Sequence, residues 1–122
     1  MIKISDSELE VMKILWEYGD TNSLEIIEKL QNHFNWNEST IRTLITRLEK
    51  KKAIEKVRKE GRIYTYTAKI KENEYKLKAS RRFVEILYDG SVNNMLLSFV
   101  KEKDISKEEL KSLIDLIDSE DE

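Results

Sequence analysis

The sequence predicts a mainly α fold, in which three short helices lead into a β-hairpin and a further helical region follows. Three observations carry this expectation. Apolar residues recur at helical spacing from Leu9 to Leu48, the period shortens to strand alternation between Ala53 and Ala68, and helical spacing returns beyond Lys71. With 122 residues and no proline, the chain fits one small domain carrying a helical appendage.

The first helix opens at Ser5, where Ser5-Asp6-Ser7-Glu8 has capping-box spacing: hydroxyl and carboxylate can each satisfy a free amide at the helix start. Leu9, Met12, Leu15 and Trp16 follow on one face, and Gly19 supplies a left-handed stop. A second helix starts at Asn22 or Ser23 and carries Leu24, Ile27, Leu30 and Phe34. The third begins at Asn37, with Trp36 placed as a hydrophobic staple, and turns Ile41, Leu44, Ile45 and Leu48 to a core. Residues 53–59 and 62–68 flank Glu60-Gly61 and are rich in β-branched and aromatic side chains, which reads as a hairpin. A helix from Lys71 to Gly90 then carries Tyr75, Phe83, Ile86 and Leu87. Ser91 opens another, with Val92, Met95, Leu96, Phe99 and Val100. A second capping box, Ser106 to Glu109, leads into Leu110, Leu113, Ile114 and Ile117, and the acidic tail at 119–122 is expected to fray.

Three helices followed by a hairpin is the order of a winged helix-turn-helix domain, in which helix three enters the DNA major groove and the hairpin is the wing. Opposite its apolar stripe, helix three carries Ser39, Thr40, Arg42, Thr43, Thr46, Arg47 and Lys50. Arginine can grip guanine O6 and N7 with two hydrogen bonds, while threonine offers a methyl to thymine or a hydroxyl to phosphate. Exposed threonines cost helix propensity relative to glutamate and lysine, so three in seven positions ask for a function. Charge points the same way. Residues 37–62 hold nine basic against four acidic residues, whereas 1–36 hold three against seven and 101–122 four against nine. A compact basic segment on an acidic body reads as a polyanion-binding face. Lys50, Lys51, Arg58, Lys59 and Arg62 are the expected phosphate contacts, adding salt-sensitive affinity without base specificity.

Other chemistries are poorly supplied. Without cysteine there is no disulfide, thiolate zinc site, iron–sulfur cluster or thiol nucleophile. The single histidine, His33, reads as a solvated or capping side chain, and Trp16 and Trp36 as core or staple residues. Carboxylates are scattered without a glycine-rich loop or a nucleophile–base pair, so no metal, cofactor or catalytic site is expected. The longest uncharged stretch, 90–100, is far short of the roughly 18 apolar residues of a membrane span. No apolar signal region opens the chain, so a cytoplasmic protein without membrane insertion is expected.

Thr40-Ile41-Arg42-Thr43-Leu44-Ile45-Thr46-Arg47-Leu48, followed by Lys50-Lys51, resembles the recognition helix of the BlaI/MecI penicillinase and methicillin-resistance repressors. The similarity extends to residues 8–16, to Ile63-Tyr64-Thr65-Tyr66 in the wing, and to Leu87-Tyr88-Asp89-Gly90 and Leu96-Leu97-Ser98-Phe99. The resemblance implies a dimeric winged-helix repressor that binds inverted repeats with TACA/TGTA-type half-sites. It also implies release by cleavage in the dimerisation region, after a membrane metalloprotease sensor detects a β-lactam. Ser39 stands where the family pattern has a lysine, which removes one expected phosphate contact. Ser98-Phe99 stands where the family has its Asn-Phe cleavage bond; the alternative is that Phe99 is simply a buried helix residue. The copper-responsive relatives carry a C-terminal cysteine array, which this chain lacks.

The division expected is a DNA-binding domain over 1–70 and a helical dimerisation domain over 71–122. Phe83, Leu87, Met95, Leu96, Phe99, Leu110, Leu113, Ile114 and Ile117 supply too many large apolar groups for isolated helices. A twofold homodimer would bury them and mirror an inverted-repeat operator; packing back on the first domain is the alternative. The competing functional reading is a protein-interaction module that uses the winged helix only as a scaffold.

Overall fold

Side-chain capping sets where the helices of this computed structural model begin; it describes residues 2–121. Helix α1 (Asp6–Tyr18) starts on a complete capping box: the Glu8 amide donates to Ser5 Oγ at 3.2 Å and the Ser5 amide to Glu8 Oε1 at 2.9 Å. Gly19, at φ 78°, ends it. Asn22 caps α2 (Ser23–Gln31) and Asn37 caps α3 (Glu38–Lys50), each through its side-chain oxygen. The chain then runs β2 (Ile54–Glu60), β3 (Ile63–Ala68), α4 (Glu72–Tyr88), α5 (Val92–Lys101, capped by Ser91) and α6 (Lys107–Asp121). The second capping box forms as its spacing predicts, with Ser106 and Glu109 exchanging both bonds. Helix α6 continues past Ser119, where fraying is expected, to Asp121; Glu122 lies outside the described residues.

Two features depart from the sequence reading. A two-residue strand, β1 (Thr21–Asn22), pairs antiparallel with β3, so the hairpin belongs to a three-stranded sheet of order β1-β3-β2. Two residues are too few for an alternating pattern to register. Phe34, expected on the apolar face of α2, lies beyond its end and stacks on Trp36 with ring centroids 4.2 Å apart.

The chain divides into two compact units, with the boundary between Lys76 and Leu77, inside α4. The first unit holds a continuous core: Val11, Met12 and Leu15 from α1, Ile26 and Leu30 from α2, and Ile41, Leu44, Ile45 and Leu48 from α3 meet Ile54 and Tyr66 of the sheet. Trp16 packs at its edge and donates its indole N–H to the Ile70 carbonyl at 2.8 Å, which satisfies its one polar atom. The second unit is different. Among its described residues Val84 is the one buried side chain, while Leu87, Ile114 and Ile117 each remain about three-fifths exposed. No helix among the described residues is long and apolar enough to cross a membrane.

A charged pair sits within the first core. Glu8 is 1% exposed, and the Lys51 ammonium bonds both to its Oε1 and, at 2.8 Å, to the Lys3 carbonyl. Burial alone would raise the Glu8 carboxyl, but the Lys51 ammonium together with the Ser5 amide and hydroxyl outweighs it and holds the group below the usual carboxylate range. A carboxyl so depressed contributes stability at pH values above its unfolded value, and that contribution is lost as pH falls through the folded one. Lys51→Met should therefore cost about 1–3 kcal/mol at neutral pH, read from urea midpoints. The difference from the parent should narrow at about pH 3, below the ordinary glutamate value, and a gap equal at both pH values would count against the pairing.

Candidate nucleic-acid interface

The outward face of α3 follows from its inward one. Ile41, Leu44, Ile45 and Leu48 fall at i, i+3, i+4 and i+7 and are all buried, which rotates Ser39, Arg42, Thr43, Thr46, Arg47 and Lys50 to the surface. These six, with Glu38, line one open groove along the helix. Thr40 is also exposed but lies outside the groove; its amide donates to Asn37 Oδ1 at 2.7 Å.

The threonines are used in a specific way. Thr43 Oγ1 donates to the Ser39 carbonyl and Thr46 Oγ1 to the Arg42 carbonyl, both at 3.0 Å. With its proton committed to the helix, each hydroxyl keeps only acceptor capacity, beside a methyl on an exposed side chain. That leaves a small, partly apolar surface between two guanidiniums, suited to a thymine methyl. Arg42 makes an exposed ion pair with Glu38, Nη2 to Oε1 at 3.4 Å.

The hairpin adds cations beside this helix. Register between β2 and β3 shifts between Lys56 and Arg58, an extra residue at Val57. Residues three apart would ordinarily point to opposite faces of a strand; the bulge brings Lys56 and Lys59 to one face, over the Tyr64 ring at 4.1 and 5.3 Å. Arg58, Lys59 and Arg62 are exposed around the Glu60-Gly61 turn, with Arg58 Nε 3.5 Å from Glu60 Oε1.

Of the five cations expected to hold phosphate, Lys50, Arg58, Lys59 and Arg62 are presented to solvent, and Lys51 is not brought to this face. Its ammonium is turned to Glu8, because the adjacent position on a helix end points about 100° away from Lys50. The missing signal was Glu8: a buried acid cannot be told from a capping one by spacing alone. His33 is exposed, and no group of three or more acidic, histidine or cysteine side chains among the described residues is placed to hold a metal. Ser98 and Phe99 lie within α5, both half-buried; Ser98 Oγ donates to the Met95 carbonyl at 2.7 Å and its carbonyl accepts from the Glu102 amide at 3.2 Å.

A helix about 10–12 Å across with side chains matches the width of the major groove, and a basic hairpin stands next to it. The first unit is thus a winged helix-turn-helix domain of the DNA-binding kind. The chain belongs to the penicillinase repressor family, whose model matches residues 4–119. It is 38% identical over 116 residues to the penicillinase repressor of Bacillus licheniformis, covering 95% of this chain and 90% of that one. To the methicillin resistance regulatory protein MecI of Mammaliicoccus sciuri it is 37% identical over 115 residues, covering 94% and 93%. Among solved structures it resembles the Bacillus licheniformis BlaI monomer in complex with the blaP half-operator, with 43% identity, a TM-score of 0.53, and coverage of 62% of this chain and 92% of that one. The family is one of transcriptional repressors, not enzymes.

Arg47, solvent-exposed in the last turn of α3, is proposed as a base-reading side chain. Arg47→Ala is expected to weaken binding to a cognate duplex by about 1–3 kcal/mol and to leave the melting temperature unchanged. An unchanged affinity in an anisotropy titration would remove Arg47 from that role.

Proposed function

We propose that this chain is a cytoplasmic homodimeric repressor of β-lactam-resistance genes, binding an inverted-repeat operator with TACA/TGTA-type half-sites. The outward face of α3 is the observation that carries the reading: two arginines and two exposed threonines on a helix whose rotation is fixed by its core. Ser39, Thr40, Arg42, Thr43, Thr46 and Arg47 read bases, while Lys50, Arg58, Lys59 and Arg62 hold phosphates. The likeness to BlaI, described on its half-operator, supports that placement. The DNA-binding role is assigned to residues 1–70, which fall within the compact unit that runs to Lys76.

Dimerisation falls to the second unit. Phe83, Leu87, Leu113, Ile114 and Ile117 are exposed in the single chain, Met95, Leu96, Phe99 and Leu110 half-exposed, and a second copy would bury them. Cleavage of the Ser98–Phe99 bond, downstream of a membrane metalloprotease sensor, would divide α5 and release the two heads from one another. The bond lies inside a hydrogen-bonded helix, so the helix must unwind locally before a protease can take it in extended form.

The test is an anisotropy titration of an inverted-repeat duplex carrying TACA/TGTA half-sites against a scrambled duplex, across a salt series. Two chains per duplex and much tighter binding to the repeat are expected. Equal, salt-steep binding to both would leave phosphate contact alone, and no binding at low salt would favour a protein-interaction module. The dimer is tested separately. Ile114→Glu, an exposed position in the single chain, should shift sedimentation from dimer to monomer at micromolar concentration while leaving the first unit folded. A dimer that survives it would place the interface elsewhere.

A further inference from the structure

We infer that Glu38 sets the selectivity of α3, aiming the Arg42 guanidinium into the groove and repelling backbone phosphate. The inference rests on the DNA-binding reading above. Among the described residues, Glu38 is the one acid lining a groove that otherwise presents hydroxyls and cations. An acid is an adverse choice on a surface that meets a polyanion. Its stabilising value does not explain it: the pair with Arg42 is exposed on both sides, 49% for Arg42 and 58% for Glu38, and such i,i+4 pairs contribute little to folding.

The contact does constrain the arginine. A free guanidinium on a flexible stem takes any nearby phosphate, and that contact carries no sequence information. Held by Glu38 Oε1 at 3.4 Å, one turn toward the helix N-terminus, Arg42 has one side of its guanidinium tied to the face that it shares with Thr43 and Thr46. The planar fork retains further N–H groups for a guanine edge. Phosphate, which would have to compete with the carboxylate, is disfavoured twice: by the loss of a free cation and by like-charge repulsion. The first turn of α3, Glu38-Ser39-Thr40-Ile41, carries no basic residue, so discrimination there depends on Arg42.

Glu38→Gln keeps size and hydrogen-bonding capacity and removes the charge. Its affinity for the scrambled duplex should rise by about three- to tenfold at low salt, with the salt slope steeper by up to about one. Affinity for the inverted repeat should change less, because lost aim offsets lost repulsion, so the specificity ratio falls by a similar factor. In an Arg42→Ala background the same substitution should raise binding to both duplexes alike and leave the ratio unmoved, because there is no guanidinium to aim. A ratio unchanged by Glu38→Gln in the parent overturns the inference, as does a ratio that falls equally without Arg42, which would mean that Glu38 touches bases itself. A parent that does not distinguish the two duplexes overturns the DNA-binding reading, and the inference with it.

Discussion

The rotation of α3 about its own axis is the constraint on which the rest of the first unit depends. Four aliphatic side chains, Ile41, Leu44, Ile45 and Leu48, are buried between α1, α2 and the sheet. Each contributes about 1.5–3 kcal/mol by leaving water. A turn of one residue, about 100°, would carry an arginine into the core and a leucine out of it, at the cost of burying an unpaired charge. No such alternative competes. The outward set is therefore fixed by exclusion: the core decides which side chains of α3 face out, whatever contacts they make there.

The pair between Glu8 and Lys51 ties this arrangement down at one end. It joins the first turn of α1 to the residue that closes α3, across 43 positions of sequence. Such a pair adds little net stability over an apolar equivalent, but leaving the buried Glu8 carboxylate without its partner is costly. Glu8 Oε2 has no hydrogen-bond partner among the described residues, so the compensation falls on Oε1, which accepts from both Lys51 and the Ser5 amide. What this achieves is registry: the C-terminus of α3, and the hairpin that follows within four residues, are placed relative to α1.

Most of the first unit was legible because its signals are local. Capping boxes, the Asn caps, the stripe of α3 and the hairpin turn all lie within a few residues of what they determine. Longer-range features were not. Strand β1 exists only because β3 comes alongside it, 43 to 45 positions later. Lys51 reads as the middle member of a run of three lysines, and only the burial of Glu8 distinguishes it from Lys50. The bulge at Val57 likewise has no signature, since an extra residue in one strand is defined by its partner. At the site itself, residue types and spacing mark the outward face of α3, but the Glu38–Arg42 contact and the inward-donated threonine hydroxyls depend on side-chain rotamers that spacing does not set.

The two units differ in what holds them together, and on the proposed reading that difference suits a repressor that is released by dismantling its dimer. The head has a continuous core and folds around its own contacts. The helices beyond Lys76 bury little within one chain, with Val84 the sole buried side chain described there. On the proposed reading their stability is supplied by the second copy and so depends on concentration and on integrity of the chain. Operator affinity then rests on bivalency, since two heads joined in one molecule act at a high effective concentration. Anything that weakens the C-terminal association, whether dilution, an added charge or a cut within α5, reduces occupancy steeply while each head stays folded. The sequence thus separates recognition, placed in a self-sufficient core, from occupancy, placed in helices that cannot complete a core alone.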